Sequence, residues 1–419
     1  MPGLTVAEKI LARCAGVETA RPGEIIVASP DFVYAHDYAA FVVDAFKKME
    51  FKQVVRPQRI AVCFDHAIPA NNARDANNMS IVRTFAREHG FAAVYEGGTG
   101  IGHQVMLEEG WAAPGHLVVG CDSHTPSLGA IGAFAVGVGE SEMGYLWGSG
   151  EIWLRVPETI RVELSGAFGK GVYAKDLILT LIGKLGVLGG LYAGIEFVGT
   201  AAKGLTISER FTICNMTAEL GAKAGYFPFD EVTAQYVGQR ARLPFDPVRS
   251  DPDATFAKTI EIDCETLEPV ISLPGREDSI TPVGSVEGTQ IQQVFFGSCT
   301  NVRIDDIEIA ATLLKNRKVH PSVRMLVVPA SRAIAIEAAR RGYLEILMEA
   351  GATLMPSGCA VCAGAHQGVL ADGEKCLSTS NRNGTGRMGN AKAEIFLCSP
   401  ATAVASAITG EICDPRKFV

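Results

Sequence analysis

The chain has 419 residues, 47% of them hydrophobic and 20% charged, and this length exceeds what one hydrophobic core usually supports. The composition excludes a disordered chain, and its 45 glycines fit an α/β protein of two or three domains. The formal net charge of −8 gives no long-range attraction to nucleic acid or to anionic lipid. An anionic ligand would therefore be held by a few placed basic groups.

The sequence predicts neither a membrane-spanning nor an exported protein. The most apolar stretch, residues 177–195, is predicted to be a buried helix and turn because Lys184 and several glycines interrupt it. The N-terminus lacks the basic and apolar segments of an export signal, which indicates a cytoplasmic protein. The 11 cysteines do not have the pattern of a disulfide framework, so some are expected in the core and others are free to bind metal.

Strand and helix alternate in the first part of the chain. Three apolar runs predict buried strands of a mostly parallel sheet: 59–64, 91–95 and 117–120. Helical spacing precedes the first run at 37–47 and separates the first two at 80–88. Polar clusters come directly after two of the strands, Asp65-His66 after the first and Asp122-Ser123-His124 after the third. Because function in such sheets gathers where strands end, both clusters are candidate site residues.

Two further units follow. The second begins with a strand at 159–164 and includes strands near Ile260 and Val270. The third repeats the alternation, with two strands and two helices at 292–296, 305–314, 324–328 and 333–349. A turn-rich, charged segment lies between these units. The sequence therefore predicts three α/β domains, 1–157, 158–279 and 280–419.

The sharpest local feature is a Cys-x-x-Cys pair, Cys359 and Cys362, among small residues that let the backbone wrap closely around a metal centre. Cys299 lies at the end of a predicted strand earlier in the chain. Three thiolates are one short of the four that usually close an iron–sulfur cluster, and such a cluster leaves one iron open as a Lewis acid. A zinc site completed by His366, a redox pair or simple packing are the alternatives.

Other polar residues are candidates for proton transfer or anion binding. They are Asp65, His66, His103, Asp122, Ser123, His124, Asn215, Glu219, Arg382 and Arg387. Asn215 and Glu219 are four residues apart and would share one face of a helix. Arg382 and Arg387, in a glycine-rich segment, suit fork-like binding of carboxylates. Taken singly, each has a structural alternative: a core histidine, a solvated carboxylate or a surface salt-bridge loop.

Together these residues resemble the aconitase superfamily, in particular the large subunits of its 3-isopropylmalate dehydratase and homoaconitase branch. The resemblance runs from about residue 36 to about residue 400, with seven motifs in family order. They are Phe64–His66, Gly100–Gln104, Gly120–Thr125, Thr212–Glu219, Gly297–Asn301, Gly358–Cys362, and Ser380–Asn383 with Gly386-Arg387. Two segments depart from the family pattern, which commonly has Gly-Pro at 360–361 and Leu at 363, and often Phe at 384.

The resemblance implies three α/β/α sandwich-like domains of the aconitase type around a [4Fe–4S] cluster held by Cys299, Cys359 and Cys362. It implies a hydro-lyase that isomerises a branched malate by dehydration and rehydration, first of all 2-isopropylmalate to 3-isopropylmalate in leucine biosynthesis. A homoaconitase or a dimethylmalate or citraconate-type hydratase is the alternative. A non-catalytic RNA-binding relative is an alternative of another class, and the acidic charge balance argues against it.

By the same resemblance, seven residues are expected to be catalytic: Asp65, His66, His103, Asp122, Ser123, His124 and Glu219. Four are expected to bind the substrate: His36, Asn215, Arg382 and Arg387. Asp65 and His66 would deliver a proton to the departing hydroxyl, and His103 would pair with Glu219. The swivelling domain that supplies a serine base in single-chain aconitases is expected on a separate small subunit.

Overall fold

Within the part of the chain that the structure describes, the strands form four β-sheets, and helices pack against them. The structure is a computed structural model that describes residues 2–238, 240–364 and 366–419. The strands of the first part are β1 (Ile25–Ala28), β2 (Phe32–His36), β3 (Ile60–Cys63), β4 (Ala93–Tyr95), β5 (Leu117–Gly120), β6 (Phe134–Gly137) and β7 (Ile152–Arg155). Its helices are α1 (Val6–Ala15), α2 (Ala40–Lys48), α3 (Ala73–His89), α4 (Gly102–Glu108) and α5 (Glu140–Ser149).

Five of these strands form a parallel sheet in the order β4-β3-β2-β5-β6, and β1 and β7 form an antiparallel ribbon. The residues of β2, β3 and β5 are buried, as expected for strands covered on both faces. Because these three strands are parallel, they end at one edge of the sheet. His36 ends β2 there, and Asp65 and Asp122 follow β3 and β5 within two residues.

The middle part contains a second parallel sheet, in the order β10-β9-β8-β11. Its strands are β8 (Thr159–Ser165), β9 (Gly194–Val198), β10 (Ala224–Tyr226) and β11 (Lys258–Asp263), and its helices are α6 (Ala174–Leu185), α7 (Thr200–Gly204), α8 (Ile207–Asn215) and α9 (Glu231–Val237). The apolar stretch at 177–195 forms most of α6, a turn and the start of β9. Among the described residues, no helix has the length and apolar character that crossing a membrane requires.

The last part contains a seven-stranded sheet, in the order β13-β12-β18-β17-β14-β15-β16. Its strands are β12 (Val270–Ser272), β13 (Ile280–Pro282), β14 (Gln293–Phe296), β15 (Arg324–Val327), β16 (Thr353–Leu354), β17 (Lys375–Ser378) and β18 (Glu394–Cys398). Its helices are α10 (Ile304–Leu314), α11 (Arg332–Arg340), α12 (Tyr343–Glu349) and α13 (Pro400–Thr409). The predicted single helix at 333–349 is two helices, because Gly342 takes a left-handed conformation between them.

The α/β class is confirmed by this alternation of parallel strands and helices. The predicted boundary between residues 279 and 280 lies between β12 and β13, which pair with each other. The third sheet therefore begins before that boundary, since β12 also pairs with β18. The middle and last parts share one apolar core, in which Val361 and Cys362 lie in the same buried cluster as Ile213 and Leu220. This shared core brings the paired-cysteine segment close to the end of α8.

Candidate active site

The loop after β3 places a carboxylate and a histidine side by side. Asp65 Oδ2 accepts a hydrogen bond from the backbone N–H of Gly102 at the start of α4, at 2.6 Å. Its other oxygen lies 2.6 Å from His66 Nδ1. On the opposite side of the ring, His66 Nε2 lies 3.6 Å from Asp122 Oδ2. The predicted Asp65-His66 and Asp122 clusters therefore meet at the sheet edge.

Asp37 organises this loop, and the sequence prediction missed it. Its carboxylate accepts hydrogen bonds from the backbone N–H groups of His66 at 3.1 Å and Ala67 at 2.7 Å. It also lies 3.4 Å from His66 Nδ1. Burial opposes the charged form of this imidazole, but negative charge on Cys359, Asp65 and Asp37 outweighs burial and raises the pKa of His66 well above its usual value. The surroundings of His66 therefore favour its protonated ring.

Asp122 lies among three histidines. Its Oδ1 is 3.2 Å from His103 Nε2 and accepts the backbone N–H of His124 at 2.7 Å. Burial alone would raise the pKa of Asp122, but His103 and His124 outweigh it and lower that pKa well below the usual value. The other ring nitrogen of His103 is hydrogen-bonded to the hydroxyl of Tyr34 on β2. Asp122 is thus an ionised carboxylate that lies between histidine side chains.

Glu219 pairs with His124, so the expected pairing with His103 is wrong. Glu219 Oε1 lies 2.7 Å from His124 Nε2, and its Oε2 accepts from Arg382 Nε at 3.0 Å. His103, on α4, is turned toward Asp122 and Tyr34 instead. The physical reason is the position of His124, which lies after β5 next to a 3₁₀ turn that packs against α8 and the Glu219 turn.

The three predicted cysteine ligands approach the same place from two loops. Ser298 Oγ donates to the sulfurs of both Cys299, at 3.8 Å, and Cys362, at 3.6 Å. Cys359 Sγ lies within 4.8 Å of the ligand atoms of Asp65 and His66. Ser298 takes a left-handed φ of 81°, which sharply turns the chain after β14. The sulfur atoms therefore lie next to the acid and base cluster.

The spacing of the sulfurs argues against a single zinc ion. Thiolates that share one tetrahedral zinc are about 3.8 Å apart, given Zn–S bonds of about 2.3 Å. Among residues 2–238, 240–364 and 366–419, no set of three ligand atoms within 4.8 Å of one another contains Cys299, Cys362 or His366. In this arrangement the alternative Cys₃His zinc site is not formed. A centre with several irons does not require its cysteine sulfurs to share one metal ion.

Amide side chains and a guanidinium surround the sulfurs. Asn215 Nδ2 and Asn381 Nδ2 donate to Cys299 Sγ at 3.1 and 3.2 Å. Arg387 Nη2 lies 3.3 Å from Cys362 Sγ. Burial opposes ionisation of Cys362, but the Arg387 charge outweighs burial and lowers the pKa of the thiol. At Cys299 burial outweighs the hydrogen bond from Asn215 and raises the pKa to about 12, so thiolate is favoured at Cys362 and not at Cys299 before iron binds.

All four expected substrate-binding residues take contacts within the protein in this structure, Arg387 with Cys362 and Arg382 with Glu219. The amide of Asn215 is fully used, since Nδ2 donates to Ser127 and Cys299 while Oδ1 accepts from Thr300 and Asn381. The ring of His36 lies 4.4 Å from that of His66, centroid to centroid, and burial lowers its pKa. A neutral His36 therefore stands beside a charged His66.

The remaining predicted residues lie at the rim of the site. Ser123 is exposed, and its Oγ lies 3.2 Å from His124 Nδ1. The Arg382 side chain is 32% exposed, although its Nε pairs with buried Glu219. The site is therefore open to solvent on the side that carries Ser123 and Arg382.

Comparison with known proteins identifies the family to which the chain belongs. Residues 8–287 and 279–410 match the aconitase family (aconitate hydratase). The sequence is 46% identical to the 3-isopropylmalate dehydratase large subunit 1 of Methanopyrus kandleri, over all of both chains. The chain belongs to the aconitase family.

Other members of the aconitase family bear this out. The probable methanogen homoaconitase large subunit of Methanosarcina mazei is 48% identical over 94% of this chain and 100% of that protein. The 3-isopropylmalate dehydratase large subunit of Aquifex aeolicus is 44% identical over 100% of this chain and 98% of its own. The crystal structure of Thermococcus kodakaraensis aconitase X in its holo-form has the same fold, with a TM-score of 0.50, 12% identity, and 85% and 84% of the two chains covered.

The paired-cysteine loop gives a first testable prediction. A Cβ atom at Gly358 would lie 2.8 Å from the backbone oxygen of Asp65, the atom that accepts the N–H of Cys359 at 2.7 Å. We expect Gly358→Ala to push this loop away, to lower the free energy of unfolding by about 1–3 kcal/mol and to reduce the iron bound after anaerobic reconstitution. Iron content and thermal midpoint are the measurements.

Gly384 provides the matched control. A Cβ atom there meets no atom within 4 Å, so Gly384→Ala should change the free energy of unfolding by less than about 0.5 kcal/mol. Equal iron contents in the two variants would show that the contact between the Cys359 loop and Asp65 is unimportant for the site.

Proposed function

We propose that this chain is the large subunit of a hydro-lyase of the 3-isopropylmalate dehydratase and homoaconitase branch, in which Cys299, Cys359 and Cys362 hold a [4Fe–4S] cluster. The observation that carries the proposal is the approach of these buried sulfurs to the cluster of His66, Asp122 and their partners. When bound, such a cluster would supply an open iron that acts as a Lewis acid on the substrate hydroxyl.

The residues around the sulfurs support this cofactor. Hydrogen bonds from Ser298, Asn215 and Asn381 reach the sulfur of Cys299, and Arg387 reaches that of Cys362. Hydrogen bonds to the sulfurs and nearby positive charge tune the potential of iron–sulfur centres. Three cysteines with these donors suit a cluster that keeps one iron for the substrate.

The charged groups of the site suit a dehydration. Hydroxide is a poor leaving group, and the His66 imidazolium, held by Asp65 and Asp37, is placed to donate a proton to it. Asp122 Oδ1 holds the ring of His103 and accepts the backbone N–H of His124. The guanidinium groups of Arg382 and Arg387 would bind the substrate carboxylates and stabilise charge that develops next to the reacting carbon.

The partner we propose is a separate small subunit that closes over the open rim and supplies the base. The relatives that match along the whole chain are named large subunits. Ser123 and the partly exposed Arg382 lie where such a partner could cover the substrate. This side of the site needs shielding, because exclusion of water strengthens every charge interaction within it.

We propose 2-isopropylmalate as the substrate, with 3-isopropylmalate as the product. Relatives from three different organisms carry that activity in their names over at least 99% of this chain. Homoaconitase chemistry is the second candidate, because the Methanosarcina mazei relative is 48% identical.

The test is an anaerobic assay of the chain with each candidate small subunit from the same source. We expect turnover of 2-isopropylmalate to exceed that of homocitrate and of dimethylmalate. Turnover of homocitrate alone would move the assignment to homoaconitase. A chain that binds neither iron nor sulfide under these conditions would reject the proposal as a whole.

The pH dependence provides a second prediction, based on Asp37. A general acid must be protonated to act, so turnover falls as the pH rises through its pKa. Asp37→Asn removes one of the negative charges that raise the pKa of His66. We therefore expect the alkaline limb of the kcat profile to shift to lower pH, while iron content stays at the wild-type level. An unshifted limb would mean that a group other than His66 is the acid.

A further inference from the structure

Lys175, at the start of α6, is a buried lysine without a carboxylate partner. Lys175 is 1% exposed. Its Nζ donates to the backbone oxygens of Thr379 at 2.9 Å and Ser380 at 2.6 Å. Within the described parts of the chain, no carboxylate forms an ion pair with it. Burial disfavours the charged form and lowers the pKa of Lys175 to about 7, so the contact calls for an explanation beyond packing.

The two carbonyl groups belong to the turn that presents Asn381 and Arg382. Asn381 Nδ2 donates to Cys299 Sγ at 3.2 Å, and Arg382 Nε donates to Glu219 Oε2 at 3.0 Å. The turn is also tied to the end of β14, because Thr379 Oγ1 accepts from the N–H of Gly297 at 2.9 Å. A shift of this turn would therefore displace the hydrogen bond from Asn381 to Cys299. It would also move Arg382, one of the two arginines proposed to bind the substrate carboxylates.

The adjacent residue, Asp176, holds the start of α6 through contacts that are separate from those of Lys175. Asp176 accepts hydrogen bonds from the backbone N–H of Tyr173 at 2.9 Å and of Val270 on β12 at 3.1 Å. The first bond caps the start of α6 and the second docks it on the last sheet, and neither touches the turn at 379–380. Lys175 and Asp176 are thus equally buried neighbours with separable contacts.

We propose that Lys175 is a positioning residue for the cluster site: its ammonium group fixes the turn at Thr379 and Ser380, and through it Asn381 on Cys299 and Arg382 on Glu219. The part that concerns the cluster rests on the proposed function, whereas the fixing of the turn does not. Lysine suits this place because one ammonium group can donate to two converging carbonyl oxygens at once.

The test compares Lys175→Met with Asp176→Asn in the full chain. Methionine keeps the length and apolar stem of the lysine but removes its donors, while Asp176→Asn weakens the docking of α6 and leaves the turn untouched. Hydrogen exchange of the amides at 379–382 is measured in protein to which no iron has been added. We expect exchange to be at least about tenfold faster in Lys175→Met and unchanged in Asp176→Asn.

A second readout follows reconstitution with iron and sulfide. The electron paramagnetic resonance spectrum of the reduced cluster should shift in Lys175→Met, because the hydrogen bond to Cys299 is displaced, and should match the wild type in Asp176→Asn. Thermal midpoints show whether the two variants are destabilised alike. Equal exchange at 379–382 in Lys175→Met and the wild type, or equal acceleration in both variants, would overturn the proposal. If the wild-type chain takes up no iron or sulfide, the proposed function fails, and the exchange comparison still decides the role of Lys175.

Discussion

Replacing Cys299 by alanine is expected to leave a folded chain that retains little iron or sulfide and loses at least about a thousandfold in turnover. The sulfur of Cys299 accepts hydrogen bonds from Asn215 and Asn381, so its loss removes both a proposed ligand and the acceptor of two buried amides. An open iron contributes several kcal/mol to stabilising the transition state, and each 1.36 kcal/mol corresponds to a factor of about ten in rate. Iron and acid-labile sulfide per chain, measured after anaerobic reconstitution, are the primary readouts.

Cys264→Ala is the matched control for this prediction. Cys264 is a buried cysteine in the turn after β11, in the apolar core that the middle and last parts of the chain share, and the contacts of the site described above do not include it. We expect this variant to lose some thermal stability through a smaller core side chain and to keep its iron and its turnover. Wild-type iron content in Cys299→Ala would remove the basis of the cluster assignment, as would zinc without sulfide in the wild-type chain.

The convergence of the polar clusters followed from the sequence. Continuous apolar runs predicted buried parallel strands at β3 and β5, and parallel strands end at a common edge. Asp65, His66 and Asp122 therefore had to lie near one another once those strands were assigned. The structure adds the distances, with His66 between the two carboxylates.

The individual pairings could not be predicted, because they depend on how separate parts of the chain pack. His103 lies at the start of α4 and His124 follows β5, and nothing in their local sequence tells which one meets Glu219. The choice is made by the packing of α8 and its following turn against the segment after β5. Asn215 and Glu219 both lie at the site, but they do not share one face of an α-helix as predicted, because α8 ends at Asn215 and Glu219 lies in a 3₁₀ turn.

Asp37 and Tyr34, which the sequence prediction missed, have weaker signals in the sequence than the predicted site residues. Asp37 stands directly after the last residue of β2, the same position relative to a strand that drew attention to Asp65. Tyr34 lies inside β2 and reads as a core residue, yet its hydroxyl bonds to His103 and to Thr125. A buried hydroxyl needs a partner, so a tyrosine in a strand that ends at the site was the available clue.

His66→Asn is expected to lower kcat by about 10²–10⁴-fold, the range that positioned acids and bases contribute. Asparagine can still donate a hydrogen bond to Asp65 but carries no proton that it can give to a departing hydroxyl. The binding of substrate carboxylates by Arg382 and Arg387 is left in place, so KM should change much less than kcat. Steady-state kinetics of the two-subunit enzyme, with iron content measured on the same samples, provides the test.

The iron measurement separates two roles of His66, because its ring also lies within 4.8 Å of Cys359 Sγ. If His66 acts as the acid, His66→Asn keeps its iron and loses the alkaline limb of the kcat profile that the wild type shows. If it only supports the cysteine, iron and kcat fall together. His89→Asn, at the end of α3, is the control and should match the wild type in both. A His66→Asn enzyme with full iron and near wild-type kcat would assign the proton to another donor, and the exposed rim that a small subunit would cover is then the place to look for it.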